Sequence, residues 1–97
     1  MITLTATIRC KPGAEDVVRA ALVEVGDFAA KNEPRTLSFF VTAGDTPGVF
    51  VTHERFADRA AMEAHNAGAG SKGFFAATEG LLAGVDVVTG SEIFPPT

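Results

Sequence analysis

The sequence has neither tryptophan nor tyrosine, only one cysteine, and no long apolar run. Without a phenol or indole side chain, any pocket wall built from its eight phenylalanines is purely hydrophobic. Cys10 has no partner for an intramolecular disulfide, which favours a reducing, cytoplasmic location. No stretch approaches the roughly 18–20 apolar residues of a membrane span, and the first residues lack the features of a secretory signal. We therefore expect a soluble cytoplasmic protein with no membrane partner.

Positive charge is also scarce. Lysine and arginine total 8 against 12 acidic residues, and the formal net charge is -4. With no basic cluster, a nucleic-acid partner is not expected. Two histidines and one cysteine cannot form a zinc tetrad, so we predict no metal site. The 97 residues, 46% of them hydrophobic, suffice for one core, and we predict a single domain over residues 1–97.

The spacing of apolar residues and of turn residues divides the chain into strands and helices. The predicted elements are a strand Ile2–Cys10, a helix Ala14–Lys31 ended by Pro34, strands Leu37–Thr42 and Val49–Phe56, a helix Ala57–Ala67 with Asp58 as N-cap, a third helix capped by Ser71 and ended by Gly84, and a strand Val85–Ile93. The order β-α-β-β-α(α)-β is typical of ferredoxin-like α+β proteins. We therefore predict an antiparallel βαββαβ sheet with helices on one face.

The face of the sheet without helices needs cover if it is apolar. In the predicted hairpin, Leu37, Phe39 and Val41 lie on one side and Phe40 on the other, so both faces carry large apolar residues. An exposed apolar face usually marks an interface, and two-fold symmetry is its commonest solution. We therefore expect a homodimer with the two sheets face to face, a dimeric α/β barrel. The alternative is a monomer whose first-strand threonines tolerate water.

Two polar residues are predicted to lie in apolar surroundings. Glu54 shares one face of its strand with Phe50 and Phe56, and a lone carboxylate there is costly unless it is paired. His65 lies on the inward stripe of the second helix among small residues. It can titrate near neutrality and serve as a general base in a cavity. Equally, it can be a buried histidine that hydrogen bonds Glu54 or a backbone carbonyl and fastens the helix to the sheet. The pattern leaves both interpretations open.

The segment Gly68–Gly73 matches the letters G-x-G-x-x-G of dinucleotide-binding loops. That fingerprint must follow a strand and begin a helix, whereas this segment follows a helix. We therefore interpret it as a joint between two helices. No serine nucleophile elbow and no placed Ser-His-acid triad is present.

The segment Val49–His65, VFVTHERFADRAAMEAH, resembles the central signature of the antibiotic biosynthesis monooxygenase (ABM) domain family. In that signature an apolar strand ends in Glu plus an aromatic residue, and an alanine-rich helix then presents a histidine. Lys11-Pro12-Gly13, Glu33-Pro34 and Phe74-Phe75 fit the same pattern, so the resemblance spans nearly the whole chain. It implies a ferredoxin-like fold that dimerises through its sheets.

The resemblance also implies an activity like that of quinol monooxygenases. Such enzymes use O2 to oxidise phenols, hydroquinones or polyketide-like aromatics, and they need no cofactor because the substrate supplies the electrons. By the same resemblance, His65 is the base or the phenolate anchor, and Glu54 orients it or tunes it electrostatically. The implied substrate-binding residues are Asn66, Phe50, Phe74 and Phe75.

Two other functions remain open at this point. One is a non-catalytic dimeric module that binds an aromatic metabolite or a partner protein. The other is a polyketide cyclase or isomerase that does not use oxygen. The resemblance disfavours haem degradation. The pattern of the haem-degrading relatives has Asn on the first strand and Trp on the second helix, where this chain has Ile8 and His65.

Overall fold

The computed structural model describes residues 1–96, which form one antiparallel sheet and three helices. The elements are β1 (Ile2–Cys10), α1 (Glu15–Asn32), β2 (Thr36–Ala43), β3 (Val49–Phe56), α2 (Arg59–Ala67), α3 (Ala69–Ala77) and β4 (Leu82–Ser91). The strand order is β2-β3-β1-β4 with every neighbouring pair antiparallel, which confirms the ferredoxin-like α+β prediction. No helix in residues 1–96 is long and apolar enough to cross a membrane.

The two central strands alternate as the sequence predicts, because side chains along a strand point to opposite faces. One face packs under the helices; its buried residues are Leu4, Ala6 and Ile8 of β1 and Phe50, Thr52, Glu54 and Phe56 of β3. From α1, Val18 and Leu22 pack into the same core. Glu15 and Asp16 occupy the first turn of α1, where the helix dipole favours negative charge.

Strand β2 contains one residue more than its partner β3. Thr36 lies opposite Phe56 and Ser38 opposite Arg55, so Leu37 is the extra residue of a bulge. Leu37 is 45% exposed, whereas Phe39 packs against the core. Grouping Leu37 with Phe39 on one apolar face is therefore wrong, because the bulge interrupts the alternation on which that grouping depends.

The chain around the third helix differs from the prediction. Helix α3 begins after Gly68, and Ser71 is not its cap but lies within it and donates to the carbonyl oxygen of His65 at 2.9 Å. The helix ends at Ala77 with Thr78 as its C-cap, and Gly80, at φ +76, makes the turn that follows. Gly84 lies inside β4 and caps no helix. Strand β4 pairs with β1 as far as Cys10. It therefore begins at Leu82, three residues before the predicted start.

The N-cap of the second helix is Asp58, as predicted, although the helix begins at Arg59 and not at Ala57. The Asp58 carboxylate accepts a hydrogen bond from the Ala61 amide at 2.9 Å, the geometry of an N-cap. This bond is the largest cause of a pKa below the usual range at Asp58, and Arg35 beside it acts in the same direction. The cap fixes where α2 starts and hence which of its side chains face the sheet.

The helices lie over β1, β2 and β3, and β4 forms an edge of the sheet. Val85 and Val87 pair with Ile8 and Ala6 of β1, so they face the helix side. They nevertheless remain 37% and 53% exposed. The space between this edge and the helices is the entrance to a cavity.

Candidate active site

A cavity of about 220 Å³ lies between the sheet and helices α1 and α3. Its wall is mostly apolar and includes Ala6 and Ile8 of β1, Leu22 of α1 and Phe74 of α3. The polar residues that line it are Thr52, Glu54, His65, Asn66 and Ser71. An apolar cavity with a few polar groups is the usual form of a small-molecule site.

His65 lies on α2 and is 4% exposed. Its ring is held on both sides, with Nδ1 2.6 Å from Oε1 of Glu33 and Nε2 3.2 Å from Oε1 of Glu54. The rings of Phe39 and Phe56 pack against it, with centroid distances of 5.7 and 5.3 Å. His65 thus borders a cavity and also links α2 to the sheet through Glu54, and this geometry leaves both interpretations of the histidine open.

Glu54 is buried on β3 beside this ring, and its two oxygens differ. Oε2 accepts a hydrogen bond from the Thr52 hydroxyl at 2.6 Å. Oε1 lies 3.2 Å from Nε2 of His65, an ion-pair contact that lacks hydrogen-bond geometry; this oxygen is fully buried and has no hydrogen-bond partner among residues 1–96. A buried acceptor left without a hydrogen bond costs free energy, so this oxygen is suited to a donor on a bound molecule.

Glu33 is a charged member of the site that the sequence pattern did not indicate, and Thr52 and Ser71 of the cavity wall were not predicted either. Glu33 follows α1 directly, and its Oε1 accepts a hydrogen bond from the Thr36 hydroxyl at 2.9 Å in addition to contacting His65. Glu33 and Glu54 approach opposite nitrogens of one ring, so the three groups do not converge on one point. Within residues 1–96, no group of three or more His, Cys, Asp or Glu is arranged to hold a metal ion.

The two carboxylates determine the charge of His65. Burial lowers the pKa of the imidazole, but its contacts with the carboxylates of Glu54 and Glu33 together outweigh burial and raise the pKa above its usual 6.5. The raised pKa favours the imidazolium form, with a proton on each nitrogen, and the carboxylate oxygen placed at each nitrogen favours it too. In that form it stabilises a neighbouring anion, and it cannot accept a further proton.

Five of the six predicted site residues line this one cavity; they are Glu54, His65, Asn66, Phe74 and Phe75. Asn66 is exposed, and Phe75 is 54% exposed and packs edge-on against Phe74. Phe50 is not on the cavity wall. It is buried in the core with the Arg19 guanidinium 5.3 Å from its ring centroid. The roles assigned to these residues stay predictions.

Comparison with known proteins agrees with this fold. The family model for antibiotic biosynthesis monooxygenases matches residues 1–77, and the chain belongs to this ABM family. No protein with a curated function matches the sequence.

Solved structures with the same fold extend over almost the whole chain. An antibiotic biosynthesis monooxygenase has a TM-score of 0.86 at 25% identity, covering 96% of this chain and 99% of its own. A proposed antibiotic biosynthesis monooxygenase from Nitrosomonas europaea has a TM-score of 0.88 at 18% identity, covering 97% and 100%. Another from Caulobacter crescentus has a TM-score of 0.87 at 22% identity, covering 95% and 89%. At 18% and 22% identity, the last two likenesses establish the fold alone.

Proposed function

We propose that this protein is a cofactor-independent monooxygenase that uses O2 to oxidise a phenol or hydroquinone of one or two rings. The observation that carries the proposal is the Glu54 carboxylate, a buried group on the wall of an apolar cavity whose Oε1 has no hydrogen-bond donor and only an ion-pair contact with His65. A hydroxyl group on an aromatic ring supplies that donor, and the ring fills the apolar part of the cavity. Membership of the ABM family supports the same chemistry.

The size of the cavity limits the substrate. A closed apolar cavity of about 150 Å³ holds one benzene ring. The cavity here, at about 220 Å³, therefore suits one ring or two fused rings. A longer fused system would have to protrude past Phe75 and Val87 at the entrance.

Glu54 and His65 have different roles in the first step, the deprotonation of the substrate. The substrate hydroxyl donates to Oε1 of Glu54; its O–H bond then breaks as the proton moves to that oxygen, and the negative charge moves to the substrate oxygen. The His65 imidazolium is close to both positions of the charge and stabilises it throughout. Because the total charge of the group does not change, the step buries no additional charge. The raised pKa of His65 favours its role as phenolate anchor over its role as base.

The resulting phenolate gives electrons to O2 more readily than the phenol does. For a phenol with a free para position, the products are a para-quinone and water: one oxygen atom enters the ring and the other leaves as water. The substrate loses four electrons and O2 gains four, so no external reductant is needed. Exclusion of water by the apolar wall protects the reactive intermediates. Asn66 is proposed to donate to a second substrate oxygen at the entrance.

Oxygen uptake with 1-naphthol tests the proposal, since oxidation gives 1,4-naphthoquinone and water. With ¹⁸O-labelled O2, we expect one labelled oxygen in the quinone. Glu54→Gln keeps the shape of the side chain but removes the proton acceptor, and kcat should fall by about 10²- to 10⁴-fold. Glu63→Gln, on the exposed side of α2, is the matched control and should behave as wild type. Full activity in Glu54→Gln would overturn this mechanism.

The engagement of both His65 nitrogens supports a second candidate, a module that binds an aromatic ligand without turnover. In that case 1-naphthol binds saturably, and O2 consumption does not exceed autoxidation. An oxygen-independent cyclase or isomerase is distinguished by comparing turnover under argon and in air, because only the oxygenase needs air.

The proposal includes a homodimer formed through the uncovered face of the sheet. Phe40 and Val88 on this face are 55% and 71% exposed, and the Phe40 ring stacks on His53 at a centroid distance of 4.5 Å. Light scattering should give twice the monomer mass for the wild type and the monomer mass for Val88→Asp. Val23→Asp, at an exposed position of α1, is the control and should remain dimeric. A dimeric Val88→Asp would argue against this interface. We further propose a cytoplasmic location, which the lone cysteine favours.

A further inference from the structure

Glu33 contacts the site from outside the cavity. It lies in the turn between α1 and β2, where its Oε1 is 2.6 Å from Nδ1 of His65 and also accepts from the Thr36 hydroxyl. Its side chain is 16% exposed, against 4% for His65. Glu33 is therefore the more solvent-accessible partner of the ring, on the side opposite to Glu54.

The placement of one carboxylate at each nitrogen selects one form of the ring. A neutral imidazole has a single N–H and leaves the other nitrogen as an acceptor, which would then face a carboxylate oxygen. Only the doubly protonated ring presents an N–H to both sides. The bond from Nδ1 to Glu33 also fixes the rotation of the ring, so that Nε2 faces Glu54.

From this geometry we propose that Glu33 is a positioning residue that holds His65 as a fixed cation next to the oxygen of a bound phenolate. The inference rests on the proposed function and adds to it the residue that keeps His65 from acting as the base. Proton transfer from the substrate then has one acceptor, Oε1 of Glu54, while His65 keeps its charge before and after the transfer. The titratable groups that face His65 are Glu33 from the turn and Glu54 from β3.

A purely structural role makes a different prediction. If Glu33 only ties its turn to α2, then Glu33→Gln should suffice, because the amide oxygen still accepts from Nδ1–H and the side chain has nearly the same volume. If the negative charge of Glu33 is required, Gln fails although the fold is kept, and Glu33→Asp partly restores function.

The first measurement is the titration of His65 followed by NMR of the imidazole, with His53→Gln used to assign the two histidine signals. In Glu33→Gln, the transition of His65 should move to lower pH by about one pH unit or more, because an opposite charge has been removed. Glu63→Gln should leave it unchanged. An unchanged transition in Glu33→Gln would overturn the inference, whatever the activity of the protein.

The second measurement is turnover of 1-naphthol. We expect Glu33→Gln to lower kcat about 10- to 100-fold with KM within about twofold, since the charge acts on the ionised substrate and not on the neutral one. Glu33→Asp should recover part of kcat. A normal kcat in Glu33→Gln would show that Glu33 does not act in the reaction. If the wild type has no turnover, the proposed function fails, and the NMR titration still decides whether Glu33 sets the charge of His65.

Discussion

Nδ1 of His65 lies 2.6 Å from Oε1 of Glu33, although the two residues are 32 positions apart in the sequence. The contact joins the turn after α1 to the second helix. Because it holds the ring in its protonated form, it makes the folded state bind a proton more tightly than the unfolded chain does. The stability of the protein should therefore depend on pH near neutrality.

The direction of this dependence follows from the raised pKa of His65. The stabilisation is fully present below the unfolded pKa of about 6.5 and is lost as pH rises through the higher pKa of the folded state. We expect the free energy of unfolding, measured by urea denaturation, to fall as pH rises above about 6.5.

The His65→Gln variant is the control for this effect. It lacks the titrating ring, so its free energy of unfolding should be nearly flat where the wild type declines. Equal slopes in the two proteins would assign the dependence to other groups and remove His65 as its cause.

Thr52 supports the Glu54 carboxylate from inside the core. Thr52→Val keeps the shape of the side chain but deletes the hydroxyl that donates to Oε2 at 2.6 Å. Losing a buried hydrogen bond to a carboxylate should cost about 1–3 kcal/mol of unfolding free energy. Thr89→Val, at an exposed position of β4 on the helix side of the sheet, should change it by less than about 0.5 kcal/mol. Similar effects in the two variants would mean that the Thr52 hydroxyl has no special contribution.

Ala6 lies on the cavity wall at the middle of β1. Ala6→Leu directs a larger side chain into the space that we assign to the substrate, so it should abolish saturable 1-naphthol binding in calorimetry. The fold should persist, because the new side chain enters a cavity and not filled core. Ala83→Leu, at an exposed position of β4, should bind normally. Undiminished affinity in Ala6→Leu would place the ligand elsewhere.

Two glycines of α3 form a matched pair. A Cβ at Gly73 meets no atom within 4 Å, and Gly73→Ala should raise the unfolding free energy by about 0.5–1 kcal/mol through helix propensity. A Cβ at Gly70 would lie 2.8 Å from Cδ1 of Phe28, so Gly70→Ala should instead lower it by about 1–3 kcal/mol. Thermal unfolding of both variants checks the contrast, and stabilisation of both would show that Phe28 can move aside.

The parts of the fold that local pattern determines were predictable. Alternation identifies the buried face of β1 and β3, because a sheet covered on one side requires a period of two. The cost of burying a carboxylate or an imidazole points to Glu54 and His65 as a pair. Asp58 as helix cap is likewise a local preference, and the structure has each of these.

The features that could not be predicted from the sequence depend on contacts between distant segments. Leu81 and Leu82 fit a helical spacing, but β4 begins at Leu82 because Leu82 pairs with Cys10, more than 70 positions away. Glu33 is one of several acids near a helix end, and nothing local shows that its carboxylate reaches His65. Alternation gives the correct face for Phe50 but not its place relative to the cavity.

The bulge in β2 has a consequence for the polar group around His65. In regular pairing the residue opposite Phe56 would be Leu37; the extra residue puts Thr36 there instead, on the helix side. This change of parity brings a hydroxyl, and not an isobutyl group, to the Glu33 carboxylate. Deleting Thr36 would put Leu37 opposite Phe56 and leave Glu33 without its hydroxyl donor, whereas deleting Leu37 would keep Thr36 in that position. The number of residues in β2 thus determines whether the Glu33 carboxylate, the ion-pair partner of His65, receives a hydrogen bond from a side-chain hydroxyl.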